Sequence, residues 1–372
     1  MNVDLVVIGG GLAGATLSTL VARTGCRVVV VEKDAFPRDK LCGEFLSPEA
    51  SLTLRRLGLE EQLMSAAPPR LERGWFTEAR GQSAEVPLPA AGLGLSRWTL
   101  DGALQGAALE AGVDWIQGEA GDVVATEEGL RVQVSTAHGS QTVEARIGVG
   151  AYGRHGRLDR ALGRTRSPRR FVGLKRHHLG PADDKVEIHA FPGGYCGVNA
   201  VDGGRVNVCA LVERSWLMGL SDRSWTGVSQ GFRTASPWLL ERLSALRPDP
   251  KREMLTVAGI DFDRREPLLG PLLMVGDGAA MIAPLAGDGQ AMALRGAEAL
   301  AELILADDSA ETLSQAWQAR FRRVFDRRLG LGRHLQEALL NPRIAPWLLR
   351  SSRWFPALPA WLAKQTREAI RS

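Results

Sequence analysis

The chain has 372 residues, 45% of them hydrophobic and 24% charged, with a formal net charge of +4. That balance describes an ordinary soluble globular protein, long enough for two domains or for one domain with insertions. Four scattered cysteines with no metal spacing exclude a disulfide scaffold, and no apolar run reaches the roughly 18 residues of a membrane span.

The cysteine usage points to a reducing cytoplasm, and a chain that enters a strand at once is expected to lack a signal peptide. Charge is uneven. Residues 320–372 hold twelve basic and three acidic side chains, so the basic character belongs to the tail.

Asp4–Ile8 reads as a strand and Gly9-Gly10-Gly11-Leu12-Ala13-Gly14 as a glycine-rich turn. A helix over Ala15–Thr24 and a strand over Arg27–Val31, ending in Glu32, complete a βαβ unit with a dinucleotide fingerprint. Gly9 permits the tight turn, Gly11 lets backbone approach a pyrophosphate, and Gly14 lets the helix pack closely. The pyrophosphate would rest on the helix N-terminus, where free N–H groups and the helix dipole favour negative charge. Glu32 can accept hydrogen bonds from a ribose diol.

Asp34 to Leu46 is a loop containing Pro37 and Cys42. Ser47 is expected to cap a helix over Glu49–Leu57, with Pro48 in its first turn. Arg70–Pro89 reads as extended, with a turn at Ala79-Arg80-Gly81. Ser96-Arg97-Trp98-Thr99-Leu100-Asp101 opens a helix that runs through Ala111. Val113–Gln117 is a short strand, and Asp122–Glu127 pairs with Arg131–Ser135 around Glu128-Gly129, continued by Gln141–Val149. A β-rich stretch follows: Arg170–His178, Lys185–Phe191, Cys196–Ala200 and Arg205–Val212, the last two joined at Asp202-Gly203-Gly204. His177, His178 and His189 read as structural, the pair beside Lys175 and Arg176 as a solvated strand edge and not a metal site. Trp225–Leu246 is helical and Met254–Phe262 a strand.

Pro271–Val275 is a further strand. It delivers Asp277, whose carboxylate can hold a polyol hydroxyl. Gly287-Asp288-Gly289 opens a helix over Gln290–Ala306, and its amides could hold negative charge on a flavin pyrimidine ring. A nicotinamide dinucleotide has no ribityl chain and needs no such second site; FAD does. The remainder is helical, broken at Pro342, Pro346, Pro356 and Pro359.

With these motifs in this order, residues 3 to about 303 resemble the FAD-dependent oxidoreductases of the para-hydroxybenzoate hydroxylase fold, which include aromatic monooxygenases and geranylgeranyl reductases. The resemblance implies an α/β fold: a Rossmann-like FAD-binding domain (1–70, 96–170 and 252–306), an inserted β-sheet substrate domain (71–95 and 171–251) and a helical C-terminal region (307–372). By resemblance, FAD is held by Gly9, Gly11, Leu12, Ala13 and Gly14, with Glu32-Lys33 at the adenosine ribose. Arg97 lies near the flavin or its phosphates, Asp122-Val123 near the adenine, and Asp277 on the ribityl–phosphate portion. Pro284 and Gly287, Asp288 and Gly289 line the isoalloxazine. Gly150-Ala151-Tyr152-Gly153 departs from the Gly-Ala-Asp-Gly of the monooxygenases, and Tyr152 reads as packing.

The Cys42-Gly43-Glu44-Phe45-Leu46-Ser47-Pro48 loop resembles the cysteine-glycine loop of geranylgeranyl reductases. Cys42 could donate a proton to a substrate carbon, or simply fill space beside the ring. Tyr195 and Cys196 are candidate substrate-pocket residues. No catalytic acid or base settles the chemistry. The preferred expectation is a monooxygenase acting with reduced flavin and O2 on a hydrophobic phenolic or polyketide-like molecule. A geranylgeranyl reductase-like enzyme saturating C=C bonds is the alternative, and a non-catalytic flavin protein the second. Halogenation is disfavoured by the lack of a Trp-x-Trp-x-Ile-Pro stretch. With no second Rossmann fingerprint, NAD(P)H would bind transiently as electron donor, or a separate flavin reductase would supply electrons. Trp, Leu and Arg interleave over 345–362, a pattern that suits peripheral contact with an anionic membrane or a helical cap. Nucleic acid is not an expected partner.

Overall fold

The computed structural model describes residues 1–154, 156–164, 170–262, 265–284, 287–306, 310–341 and 343–354. Its first sheet has the strand order Leu268–Leu269, Leu272–Met274, Gly139–Gly150, Asn2–Ile8, Val28–Glu32, Asp114–Gln117. All neighbours from Leu272–Met274 to Asp114–Gln117 are parallel. The central strands Leu5-Val6-Val7-Ile8 and Val28–Val31 are buried throughout, as continuous valine-rich runs covered on both faces must be. Glu119–Thr126 and Gly129–Thr136 form the predicted hairpin and extend the Gly139–Gly150 strand antiparallel.

Helix Leu12–Ala22 packs between Arg97–Glu110 and Gly289–Ala306. Small residues make this possible: Ala13, Gly14, Ala15, Thr16 and Ser18 are all buried. Trp317, on the long helix Ala310–Leu340, is fully buried against this core and donates from Nε1 to the carbonyl of Met274 at 3.1 Å.

The second sheet has nine strands. Its order is Arg247–Pro248, Phe171–Leu179, Arg205–Glu213, Gly194–Val201, Lys185–Phe191, Arg70–Glu78, Ser83–Gly94, Phe45–Leu46, with Leu255–Ile260 also paired to Phe171–Leu179. Side chains alternate between its faces. Val172, Leu174, Cys196, Val198 and Val208 pack under helices Trp225–Ala235 and Pro237–Ser244. Phe171, Ala190, Tyr195 and Leu211 face the other way, toward Leu339 and Ala345 of the C-terminal helices. The α/β architecture with a Rossmann-like part, a large sheet and a helical C-terminal region is therefore the one expected.

Several local expectations are corrected. Trp225–Leu246 is two helices, because Pro237 drives Ser236 into extended backbone (φ −152°, ψ 129°). Ser47 does not cap the next helix, which runs Ala50–Arg56; its hydroxyl is spent on Asp288. His177 and His178 are buried, not a solvated edge, because their strand is flanked on both sides. Pro346 lies within the first turn of helix Ala345–Trp354, where a missing N–H costs nothing, so it does not break it. Pro356, Pro359 and the rest of the tail lie outside the described residues. Among the described residues no helix is long and apolar enough to cross a membrane.

Candidate active site

The dinucleotide end is built from the glycine-rich turn. Gly9 has φ +104°, and a Cβ there would lie 2.6 Å from the backbone of Ala151. Gly11 is the N-cap of helix Leu12–Ala22, and no side chain caps its free N–H groups. The buried side chains of Leu12 and Ala13 leave only their backbone to serve a ligand. Glu32 anchors the turn: Oε2 accepts the Gly10 N–H at 2.8 Å and Oε1 the Asp34 N–H at 3.0 Å. A carboxylate has about four lone-pair positions, so two remain for a ribose diol. Lys33 is exposed at the strand end. Val123 turns its side chain into the core, so only its backbone is left for an adenine.

One residue at this end was not anticipated. Lys40 projects toward the turn, its Nζ 3.4 Å from where a Cβ on Gly11 would sit. It also donates to Asp101 at 2.8 Å and lies over the Phe36 ring at 4.3 Å. Burial, and then the neighbouring Arg97, lower its pKa to about 8. The loop sequence alone does not single it out from Arg38 and Lys33. A free helix N-terminus, a close-approach glycine and a half-buried cation together fit a pyrophosphate. Phosphate favours the charged lysine, so FAD affinity should be flat below about pH 8 and fall as pH rises through it, by up to roughly tenfold per unit. FAD titration of the apoprotein from about pH 6.5 to 9.5 checks this, and Lys40→Met should remove that dependence.

The flavin end begins at Asp277, in the turn Gly276–Gly278 after the buried strand Leu272–Met274. Its side chain is exposed in the cleft. The protein enclosing the cleft pushes its carboxyl up from the ordinary value, and Arg154, Arg97 and Arg265 pull it back. Pro284 and Gly289 are exposed nearby in the chain, Gly289 as the first residue of its helix, and Gly287 has φ +67°. Asp288 differs from expectation. It is wholly buried and turned inward, accepting from Ser47 Oγ at 3.0 Å and Arg328 at 3.3 Å. Arg328 also reaches Glu49 at 3.4 Å. Asp288 therefore braces the loop against the long C-terminal helix, and its side chain does not line the cleft.

Cys42 lies between these parts. Its Sγ accepts the Glu44 N–H at 3.3 Å and Gln290 Nε2 at 3.2 Å. Its carbonyl accepts Asn207 Nδ2 at 3.0 Å, which ties the loop to the second sheet. Arg97 forks onto Asp101 at 2.5 and 2.9 Å, and Lys40 shares the same carboxylate, so the three side chains keep one net positive charge. Glu44, Lys175 and His177 form a buried cluster around this loop that sequence reasoning missed. Asp39, Glu44 and His177 converge closely enough to suit a metal ion. Lys175 on Glu44 and Arg252 on Asp39 already give each carboxylate a cation.

Tyr195 and Cys196 point to opposite faces, as neighbours on a strand must. Tyr195 joins Phe171, Leu211 and Ile260, with Leu41 and Met281 packed alongside, and its buried hydroxyl has no hydrogen-bond partner among the described residues. Leu41 precedes Cys42, so this apolar face adjoins the thiol. Cys196 lies in the core under the two helices and is no pocket residue. Tyr152 packs as expected, its ring beneath Gly156 and its hydroxyl donating to Asp159 at 3.2 Å.

Residues 2–179 match the family model described as FAD binding domain. Menaquinone reductase of Mycolicibacterium smegmatis is 26% identical, over 91% of this chain and 85% of that protein. Digeranylgeranylglycerophospholipid reductase 1 of Methanopyrus kandleri is 26% identical, over 91% of each. A myxobacterial chondrochloren halogenase, an FAD-dependent enzyme, superposes with a TM-score of 0.81 at 22% identity, covering 98% of this chain and 91% of the other, a likeness of fold. The fold and the double site define an FAD-binding oxidoreductase. Residues 2–179 carry an FAD binding domain, and the fold of the whole chain is similar to that of FAD-dependent enzymes.

Proposed function

We propose that this enzyme reduces a carbon–carbon double bond in a lipophilic, isoprenoid-bearing molecule. The observation that carries this reading is the Cys42 thiol, held by Gln290 beside the flavin loop and next to the apolar face of Tyr195. Bound FAD would supply hydride once reduced. Cys42 would supply the proton to the adjacent carbon, and Phe171, Leu211 and Ile260 would exclude water from the alkene. The Tyr195 hydroxyl, which has no partner among the described residues, would donate to a carbonyl or hydroxyl oxygen of the substrate. Two relatives matched over most of their length carry reductase names, which supports reduction over the oxygenation favoured from sequence.

Oxygenation of a phenolic or polyketide-like substrate is the second reading, since the same dry apolar face would serve it. Anaerobic incubation of the reduced holoenzyme with a polyprenyl quinone or polyprenyl glycerolipid separates the two. A product heavier by two hydrogens that keeps them after any quinone ring has been reoxidised supports reduction of the double bond. A product formed only with O2, and heavier by one oxygen, overturns it. NAD(P)H, or a separate flavin reductase, is the proposed source of electrons.

The C-terminal region supports peripheral membrane contact as the route to such a substrate. Trp347 is 76% exposed and Ile344 43%, with Arg343 and Arg350 exposed around them. A tryptophan ring among arginines suits an anionic bilayer surface. Trp347→Ala should cut co-flotation with anionic vesicles at least about threefold without changing Tm; full retention of binding would end that proposal.

A further inference from the structure

Glu44 is held at φ +55°, a conformation that costs a side-chain-bearing residue energy, and its carboxylate is completely buried. Glycine would meet that backbone without strain, and an apolar side chain would fill the space without desolvating a charge. Glu44 is unfavourable on both counts, so packing alone does not explain it.

What the carboxylate does is join three segments. Oε1 accepts the backbone N–H of Arg97 at 2.9 Å and Lys175 Nζ at 2.5 Å, and Oε2 pairs with His177 Nε2 at 2.6 Å. Lys175 returns to the same loop, donating to the carbonyl of Lys40 at 3.0 Å. The Cys42 sulfur accepts from the N–H of Glu44 itself and from Gln290 Nε2. The Glu44 carboxylate also fixes the start of the adjoining helix through the Arg97 N–H.

We propose that Glu44, with Lys175 as its counter-ion, is a positioning residue that sets the place and reactivity of the Cys42 thiol. The inference rests on the reading of Cys42 as proton donor. In that step the S–H bond breaks, a C–H bond forms on the carbon next to the one that takes hydride from reduced FAD, and the sulfur is left as a thiolate. The N–H groups of Glu44 and Gln290 face that developing charge. The thiolate then regains its proton from solvent.

The test uses the FAD-loaded enzyme. Glu44→Gln alone leaves Lys175 buried without a full counter-charge and risks unfolding, so the paired variant Glu44→Gln/Lys175→Met, which removes both charges, is the principal one. Its flavin content and Tm report folding. Iodoacetamide modification of Cys42, followed by peptide mass spectrometry, reports the thiol independently of turnover. We expect FAD to be retained, KM for a prenyl alkene to stay within about twofold, kcat to fall about tenfold or more, and alkylation of Cys42 to slow at least about fivefold. A folded, FAD-loaded variant with unchanged or faster alkylation overturns the proposal. Should Cys42→Ala keep full turnover while the paired variant still slows alkylation, the proton-donor reading fails and the positioning role of Glu44 stands.

Discussion

Cys42→Ala enzyme is expected to keep its FAD and to lose about a hundredfold in the rate at which a prenyl alkene reoxidises the reduced flavin. A positioned general acid contributes roughly 10²–10⁴ to such a step, and the lower figure allows for water reaching the vacated site. FAD should stay because the Cys42 side chain bonds Gln290 and Glu44, away from the glycine-rich turn. The loss should be confined to the half-reaction that consumes substrate, with flavin reduction unchanged. Anaerobic stopped-flow measurement of each half-reaction distinguishes them. Equal reoxidation rates in wild type and variant would remove the thiol from the chemistry and return weight to oxygenation.

For Gly14→Ala the expected outcome is a protein that folds but no longer retains FAD. The added Cβ would fall 1.9 Å from the carbonyl oxygen of Gly9 and 3.1 Å from Ala151 Cβ. The first of these is backbone and cannot swing aside, so helix Leu12–Ala22 must move off the strand it follows. Overpacking of this kind costs about 1–3 kcal/mol, roughly 5- to 150-fold if it all appears in cofactor affinity, because the moved helix start is the pyrophosphate site. Gly106→Ala is the matched control. No atom lies within 4 Å of a Cβ there, and it sits in the middle of helix Arg97–Glu110, so it should stabilise by up to about 1 kcal/mol and leave FAD affinity alone. Flavin fluorescence quenching and Tm report both; equal FAD affinity in the two variants would contradict the close-approach role of Gly14.

The glycine-rich βαβ unit, the Asp277 turn and the Ser96 cap were legible because each is decided within a few residues. A tight turn needs its glycines, a helix start needs an acceptor, and Ser96 Oγ does accept the Thr99 N–H. Parity along a strand was legible in principle too. Tyr195 and Cys196 cannot share a pocket, and only the choice of face awaited the structure. The role of Asp288 was not legible. Its partners Ser47 and Arg328 are remote in the chain, and a Gly-Asp-Gly turn reads the same whether its carboxylate points out or in.

By itself, the sequence determined that this chain binds a dinucleotide with a ribityl arm, since backbone geometry at Gly9, Gly11, Gly14 and Gly276 is set by residue type and short-range sterics. Only the tertiary structure decided what surrounds the Cys42 thiol. Glu44, Arg97, Lys175, His177 and Gln290 come from four separate segments, and each alone resembles an exposed polar residue. Burial makes their charges costly until they are paired, and that cost depends on the packing of the whole second sheet against the Cys42 loop.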